Sequence, residues 1–112
     1  MRSLDPDIIA QLREDLPPDI FARIVRSFEE DASRLVADLD AACAAGDGAG
    51  FRRAAHTLAG AAGTVGALPL EEAARRCMVS VTDAEHPELC ARALAEADEA
   101  VAALRATLQE AG

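Results

Sequence analysis

The residue best suited to chemistry in this sequence is His56, one of two histidines in a chain of 112 residues. It lies in the stretch FRRAAHTLAGAAGTVGA, residues 51–67, where alanine and glycine predominate. A substantial fraction of an exposed imidazole is unprotonated near neutral pH, and such a ring is a nucleophile toward an activated phosphoryl group. The phosphohistidine that results carries added negative charge, which a nearby arginine can offset.

Helical spacing around His56 predicts that its side chain faces solvent. A buried stripe with the spacing i, i+4, i+7, i+11, i+14 consists of Phe51, Ala55, Leu58, Ala62 and Val65. At about 100° per residue, His56 lies roughly 140° from the centre of that stripe. The neighbouring positions on its outer face are Arg52 and Arg53 one turn before, Ala59 and Gly60 one turn after, and Gly63 two turns after.

The small residues on this face indicate a surface that another protein approaches. In a helix interior, Gly60 and Gly63 each cost about 1 kcal/mol relative to alanine. A low surface from which one ring projects suits protein contact better than it suits enclosure of a small substrate. No Cys, Ser or acidic side chain accompanies His56 there as a nucleophile–base pair requires, so the residues alone leave open a reactive and a merely solvated histidine.

Metal binding is a weaker alternative. A site built from His56, His86, Cys77 and Cys90 has no ligand spacing, and no second histidine stands at i±4 from His56. His86 directly precedes a proline in a predicted loop, where a capping or solvated role is favoured. The three cysteines, Cys43, Cys77 and Cys90, lie in helical segments and are predicted to be buried, reduced thiols.

The elements that must position His56 are predicted to be helices. Aromatic residues are limited to three phenylalanines, β-branched residues are sparse, and no segment alternates with a period of two. Proline and glycine divide the chain into a short N-terminal helix and four main helices, at about residues 19–45, 49–65, 69–81 and 87–108. Short loops between them predict an all-α fold, an antiparallel four-helix bundle with a short extra N-terminal helix, in a single domain over residues 1–112.

The charge and hydropathy of the chain argue against several classes of function. A net charge of −9 disfavours nucleic-acid and membrane-surface partners, because both require a basic surface. No apolar run reaches the length of a transmembrane helix, and the N-terminus lacks the apolar region of a signal peptide. Together with the reduced cysteines, these features predict a cytoplasmic protein.

The segment AAHTLAGAAGTVGA resembles the signature of the histidine-containing phosphotransfer (HPt) domain family, A-H-x-L-K-G-x-A-x-x-h-G-A, in which h is apolar. The matching residues are Ala55, His56, Leu58, Gly60, Ala62, Val65, Gly66 and Ala67. LDP near the start of the chain, the pattern F…DA…L…L…A…GD in the second helix and LPLEEAARRC after the signature also agree with the family. The resemblance therefore extends over essentially the whole chain.

The resemblance implies a phosphorelay intermediate of two-component signalling. His56 would accept a phosphoryl group on Nε2 from the aspartate of a receiver domain and pass it to another receiver, with response regulators or a hybrid histidine kinase as partners. Such a domain has no autonomous active site and no cofactor of its own, because the receiver supplies the Mg²⁺ and the aspartyl phosphate. A side chain at Gly60 would crowd the incoming receiver loop, and a monomer is the default for this bundle.

One position departs from the family pattern. The family has a lysine three residues after the histidine, and this sequence has Ala59. Arg52 or Arg53 is predicted to reach the phosphate in place of that lysine, with the alternative that both arginines are simply solvated. The loss of the lysine leaves a second function open, a receiver-binding module on the same bundle that transfers no phosphate. Receivers are expected to dock on this face and on the neighbouring exposed side of the second helix.

Overall fold

The computed structural model describes residues 3–79 and 83–111, and every regular element within these ranges is helical. The elements are α1 (Pro6–Asp15), α2 (Pro18–Ala45), α3 (Gly48–Thr64), α4 (Leu68–Met78), a 3₁₀ turn (Asp83–Glu85) and α5 (His86–Ala111). The predicted all-α fold, with four main helices behind a short N-terminal one, is confirmed. None of the described helices combines the length and the apolar character needed to span a bilayer.

Local sequence explains where most of these helices begin and end. Asp5 caps α1 and Asp47 caps α3, and each side chain accepts a hydrogen bond of 2.9 Å from a backbone N–H group in the first turn. Gly46 ends α2 with φ 68°, a left-handed conformation that is accessible to glycine at little cost. Prolines occupy the first turn of α1, α2 and α4, where a helix does not need the missing N–H.

The four longer helices, α2 to α5, surround one apolar core. α2 packs against α3, α3 against α4, α4 against α5, and α5 closes the ring against α2. Short connections make consecutive helices antiparallel. Every one of these helices contributes fully buried side chains, among them Leu39, Phe51, Leu58, Leu70, Cys77 and Leu104. Alanines fill much of the remaining core and allow the helices to approach closely.

α1 lies against the turn between α3 and α4. The backbone N–H of Asp5 donates to the carbonyl of Gly66 at 2.7 Å, and Ile9 is buried in the core. Gly66 has φ 70°, and a Cβ on it would lie 3.0 Å from the Cβ of Ile8. A side chain at this position is therefore opposed both by the left-handed backbone and by the close approach of α1.

The end of α4 corrects the boundary expected from the sequence. The helix ends at Met78 rather than near Val81, and the N–H of Val79 closes the last turn on the carbonyl of Arg76 at 3.3 Å. Cys77 is buried and Met78 packs partly against the core, whereas Val79 is 74% exposed. Residues 80–82, including the predicted end, lie outside the described ranges.

Candidate functional site

His56 lies midway along α3, and its side chain is exposed, as the helical spacing predicts. The opposite side of the helix is fixed in the core by Phe51, Ala55, Leu58 and Ala62, whose side chains are completely buried. Because these contacts set the rotation of α3 about its axis, the imidazole points away from the core. A partner can therefore reach the ring without any rearrangement of the bundle.

Two exposed arginines precede His56 by one turn of α3. At about 100° per residue, Arg52 lies on the α4 side of His56 and Arg53 on the α2 side. Arg53 borders the groove between α2 and α3, together with Asp38 and Thr57. Neither guanidinium forms an ion pair with a described carboxylate. Both are thus placed to meet a negatively charged group near the ring.

The three small residues that follow His56 have different surroundings. Gly60 is exposed, and a Cβ on it would meet no atom within 4 Å. A Cβ on Gly63 would lie 3.6 Å from the carboxylate of Glu71, an ordinary van der Waals contact. Ala59, which the helical spacing places on the outer face, is only 6% exposed and belongs to the core. The packing of α4 on this side of α3 accounts for the difference, so the low surface beside the ring is formed by the two glycines.

An ion pair on α4, which the sequence reasoning missed, lies beside this face. Arg75 donates two hydrogen bonds to Oε2 of Glu71, from Nη2 at 2.6 Å and from Nε at 3.2 Å. The Glu71 carboxylate is the group that lies over Gly63, two turns beyond His56. The four-residue spacing of Glu71 and Arg75 in LPLEEAARR is the signal that points to the pair. Its proximity to α3 depends on how the two helices pack.

A partly apolar groove runs along the α2 side of α3. It is lined by Ile20, Arg23, Ile24, Ser27, Phe28, Asp31, Ala61, Thr64 and Val65. Phe28 and Val65 are buried, whereas Ile24 and Ala61 remain half-exposed. Apolar positions bordered by polar and charged ones are typical of a surface that docks another protein.

The second histidine has a different environment from the one expected. His86 was predicted to be solvated or to cap a helix, but it is buried at the start of α5. Its ring stacks on Phe51 with 4.0 Å between the ring centroids and 12° between the ring planes. The stack places the imidazole against the N-terminal part of α3, where it is shielded from solvent. Across residues 3–79 and 83–111, no three His, Cys, Asp or Glu side chains are grouped so that they could hold a metal ion.

All three cysteines lie in the described ranges and none forms a disulfide; Cys77 and Cys90 are buried and Cys43 is half-buried. Burial, together with the charge of the neighbouring Cys90, raises the pKa of the Cys77 thiol to about 11. Burial also raises the pKa of Cys90, and the charges of Asp40 and Cys43 act in the same direction. Because the thiolate is the reactive form, burial makes both thiols less reactive than an exposed cysteine.

Comparisons with known proteins point to one family. The family model of the Hpt domain matches residues 23–109 of the chain. Among solved structures, the chain is similar to histidine-containing phosphotransfer protein B (HptB) from Pseudomonas aeruginosa PAO1, with a TM-score of 0.79 and 26% sequence identity over 96% of each chain. No curated protein sequence matches the chain at a significant level.

Proposed function

Because the chain belongs to the Hpt domain family and so has a histidine phosphotransfer role in a phosphorelay, we propose that His56 is its phosphoacceptor. The ring accepts a phosphoryl group on Nε2 from the aspartate of one receiver domain and passes it to the aspartate of another. Its partners are response-regulator receivers, a hybrid histidine kinase, or both. The chain acts in the cytoplasm as a monomeric, single-domain phosphocarrier without an active site of its own.

One observation carries this proposal: His56 projects beside Gly60, and nothing described within the chain requires glycine at that position. An alanine would fit there and would favour the helix by about 1 kcal/mol. The glycine is therefore explained by something outside the chain, a partner whose backbone approaches the ring closely. A receiver that carries its aspartyl phosphate to the His56 ring is such a partner.

The proposed transfer needs only a nucleophile from this chain. The lone pair of Nε2 attacks the phosphorus while the bond from phosphorus to the aspartate oxygen breaks, and the aspartate leaves as a carboxylate. The imidazole keeps its proton on Nδ1, so no general base is required. In the onward step, the aspartate of a second receiver attacks the same phosphorus and the imidazole is the leaving group. The receiver supplies the positive charge that stabilises the transferring phosphoryl group.

The surface proposed to meet the phosphoryl group and the receiver consists of Arg52, Arg53, Gly60 and Gly63. Ala59, which the helical spacing also placed on this surface, is buried beneath it and is not part of the proposal. Arg52 and Arg53 lie one turn before His56 on its two flanks, so each is within reach of an added phosphate. Arg52→Ala is expected to slow phosphotransfer or to destabilise phospho-His56. Wild-type transfer in both Arg52→Ala and Arg53→Ala would remove the arginines from the proposed surface.

Transfer from phosphorylated receivers tests the proposed function. Receivers that carry a labelled phosphoryl group are incubated with the wild-type chain and with His56→Gln, which keeps a polar side chain but lacks the nucleophilic nitrogen. We expect acid-labile, base-stable label on the wild type and none on the variant. Receiver binding without label transfer, across a panel of receivers, would favour the alternative of a non-transferring interaction module, for which Ala59 in place of the family lysine is the motivating feature.

A further inference from the structure

Phosphorylation of His56, proposed above, adds negative charge to a chain that is already acidic. The net charge is −9, and a phosphoryl group adds about −1.5 to −2 more. One turn beyond the ring, α3 offers no cation, since Ala59 is a buried alanine and Gly60 an open glycine. A cation that this chain itself supplies on that side of the ring therefore comes from a neighbouring helix.

The packing of α4 brings Arg75 to the level of Ala59. The chain reverses around residue 67, and Gly63 and Glu71, each four residues from that position, lie against one another. In an antiparallel pair, four residues forward along α4 correspond to four residues back along α3. Arg75 therefore stands beside Ala59, about 4.5 Å along the helix axis from the level of His56.

In the unphosphorylated structure, the Arg75 side chain is turned along α4 toward Glu71. Both of its hydrogen bonds go to a single carboxylate oxygen, and the side chain is 66% exposed. The Glu71 side chain is 22% exposed, so the pair is half-buried at its acidic end. Exposed pairs with this four-residue helical spacing contribute about 0.3–0.5 kcal/mol. The guanidinium is thus held on the α3 side of α4 by an interaction weak enough to be exchanged for a stronger one.

We propose that Arg75 is a positioning residue for the phosphoryl group: when His56 is phosphorylated, the guanidinium leaves Glu71 and pairs with the phosphoryl oxygens. A phosphoryl dianion attracts the guanidinium more strongly than one carboxylate does and accepts bidentate hydrogen bonds from it. Glu71, at the level of Gly63, keeps its own negative charge about 10 Å along the helix axis from the ring. The exchange changes ionic hydrogen bonds only, and Arg75 takes no part in covalent chemistry.

α4 also contains a matched control for this role. Arg76 pairs with Glu72 at the same four-residue spacing and at 3.1 Å; both of these side chains are 67% exposed, whereas Glu71 is 22% exposed. Arg76 borders the groove between α4 and α5 rather than the surface beside α3. Neutralising either arginine removes one positive charge and one pair of the same kind from the same helix. Only Arg75 is expected to affect a phosphoryl group on His56.

Direct phosphorylation with phosphoramidate, a small-molecule phosphoryl donor, tests this inference without a receiver. The wild type and the variants Arg75→Gln, Arg76→Gln and Arg75→Lys are phosphorylated on His56, and the phosphohistidine signal is titrated with pH by ³¹P NMR. Because Arg75 favours the dianion, Arg75→Gln is expected to lower the acid dissociation constant of the phosphoryl group about threefold, the size of an exposed ion pair. The equilibrium with a phosphorylated receiver should shift toward the receiver by the same factor.

The control variants separate this role from a general effect of charge. Arg76→Gln is expected to titrate as the wild type does, and Arg75→Lys to recover most of the difference. Equal titration of Arg75→Gln and the wild type would overturn the inference, as would equal shifts in the two glutamine variants or a shift in Arg52→Gln alone. If phosphoramidate labels His56 normally but no receiver does, the proposed function fails while the Arg75 result stands.

Discussion

Replacing Gly60 with alanine is expected to change stability and phosphotransfer in opposite directions. Gly60 lies within α3, one turn after His56, and a Cβ on it would meet no atom within 4 Å. The substitution therefore causes no clash, and it reduces the conformational freedom of the unfolded chain. We expect Gly60→Ala to raise the free energy of unfolding by roughly 0.5–1 kcal/mol.

Urea unfolding followed by far-UV circular dichroism measures this gain. The chain contains no Trp and no Tyr, so helix content is a better signal than intrinsic fluorescence. The urea midpoint should rise at an unchanged slope, and in thermal unfolding 1 kcal/mol corresponds to roughly 4 °C for a chain of this size. Gly63→Ala is the stability control, because a Cβ there would meet the Glu71 carboxylate at an ordinary 3.6 Å and a similar gain is expected.

The same Gly60→Ala substitution is expected to slow transfer from a receiver to His56. A methyl group raises the surface beside the ring, and a displacement of the reacting groups by about 1 Å can lower a rate as much as 10²-fold. A roughly tenfold or greater loss of rate in a protein that is more stable than the wild type cannot result from unfolding. Wild-type transfer by Gly60→Ala, or lower stability of this variant, would refute the reasoning, since the glycine would then serve no partner or would be required by the chain itself.

Three other measurements test the contacts that hold the bundle and α3 in place. Asp47→Ala removes the acceptor of the Gly50 N–H at 2.9 Å and is expected to lower the free energy of unfolding by about 1 kcal/mol in urea titrations. Asp47→Ser keeps a side-chain acceptor and should retain most of that stability. Gly66→Ala forces a side chain into φ 70° and within 3.0 Å of Ile8, so a loss of roughly 2 kcal/mol or more is expected by the same method, and a neutral result would contradict the contact with α1. For Cys77, the pKa in the folded chain is about 11 against 9.0 for an ordinary thiol, so the unfolded state ionises first. The contribution of the Cys77 thiol to the free energy of unfolding is therefore fully present below pH 9. It should be lost between pH 9 and 11, at a slope of at most about 1 kcal/mol per pH unit, and Cys77→Ala should reduce that slope.

Most helix boundaries were predictable because short-range chemistry sets them. Asp5 and Asp47 are residue types that favour N-caps and Gly46 is one that favours the end of a helix, and each occupies such a position. The end of α4 was misplaced because no glycine or proline marks it.

The outward orientation of His56 was also predictable, since the helical period relates it to the buried stripe of α3. Its surroundings were not. The burial of Ala59 and the position of the pair between Glu71 and Arg75 depend on the rotation and register of α4 against α3. The burial of His86 likewise depends on where α5 begins relative to the core. The pattern within one helix does not specify the contacts that it makes with another.

The two sides of His56 are proposed to affect phosphotransfer by different means, one steric and one electrostatic. The dependence of each effect on ionic strength should distinguish them. On the side of Gly60 the surface is open, and we propose that it leaves space for the receiver. On the α4 side, the exposed guanidinium of Arg75 is proposed to pair with the phosphoryl group. Screening at 0.15 M salt acts over about 8 Å, and over about 3 Å at 1 M, so added salt weakens an exposed ion pair but leaves a steric obstruction unchanged. The difference between Arg75→Gln and the wild type in phosphoryl titration should therefore shrink toward zero in 1 M salt. The ratio of the transfer rates of Gly60→Ala and the wild type should persist, because salt acts on both proteins' remaining charges alike. A steric effect that salt abolished, or an Arg75 effect that salt left intact, would contradict this division.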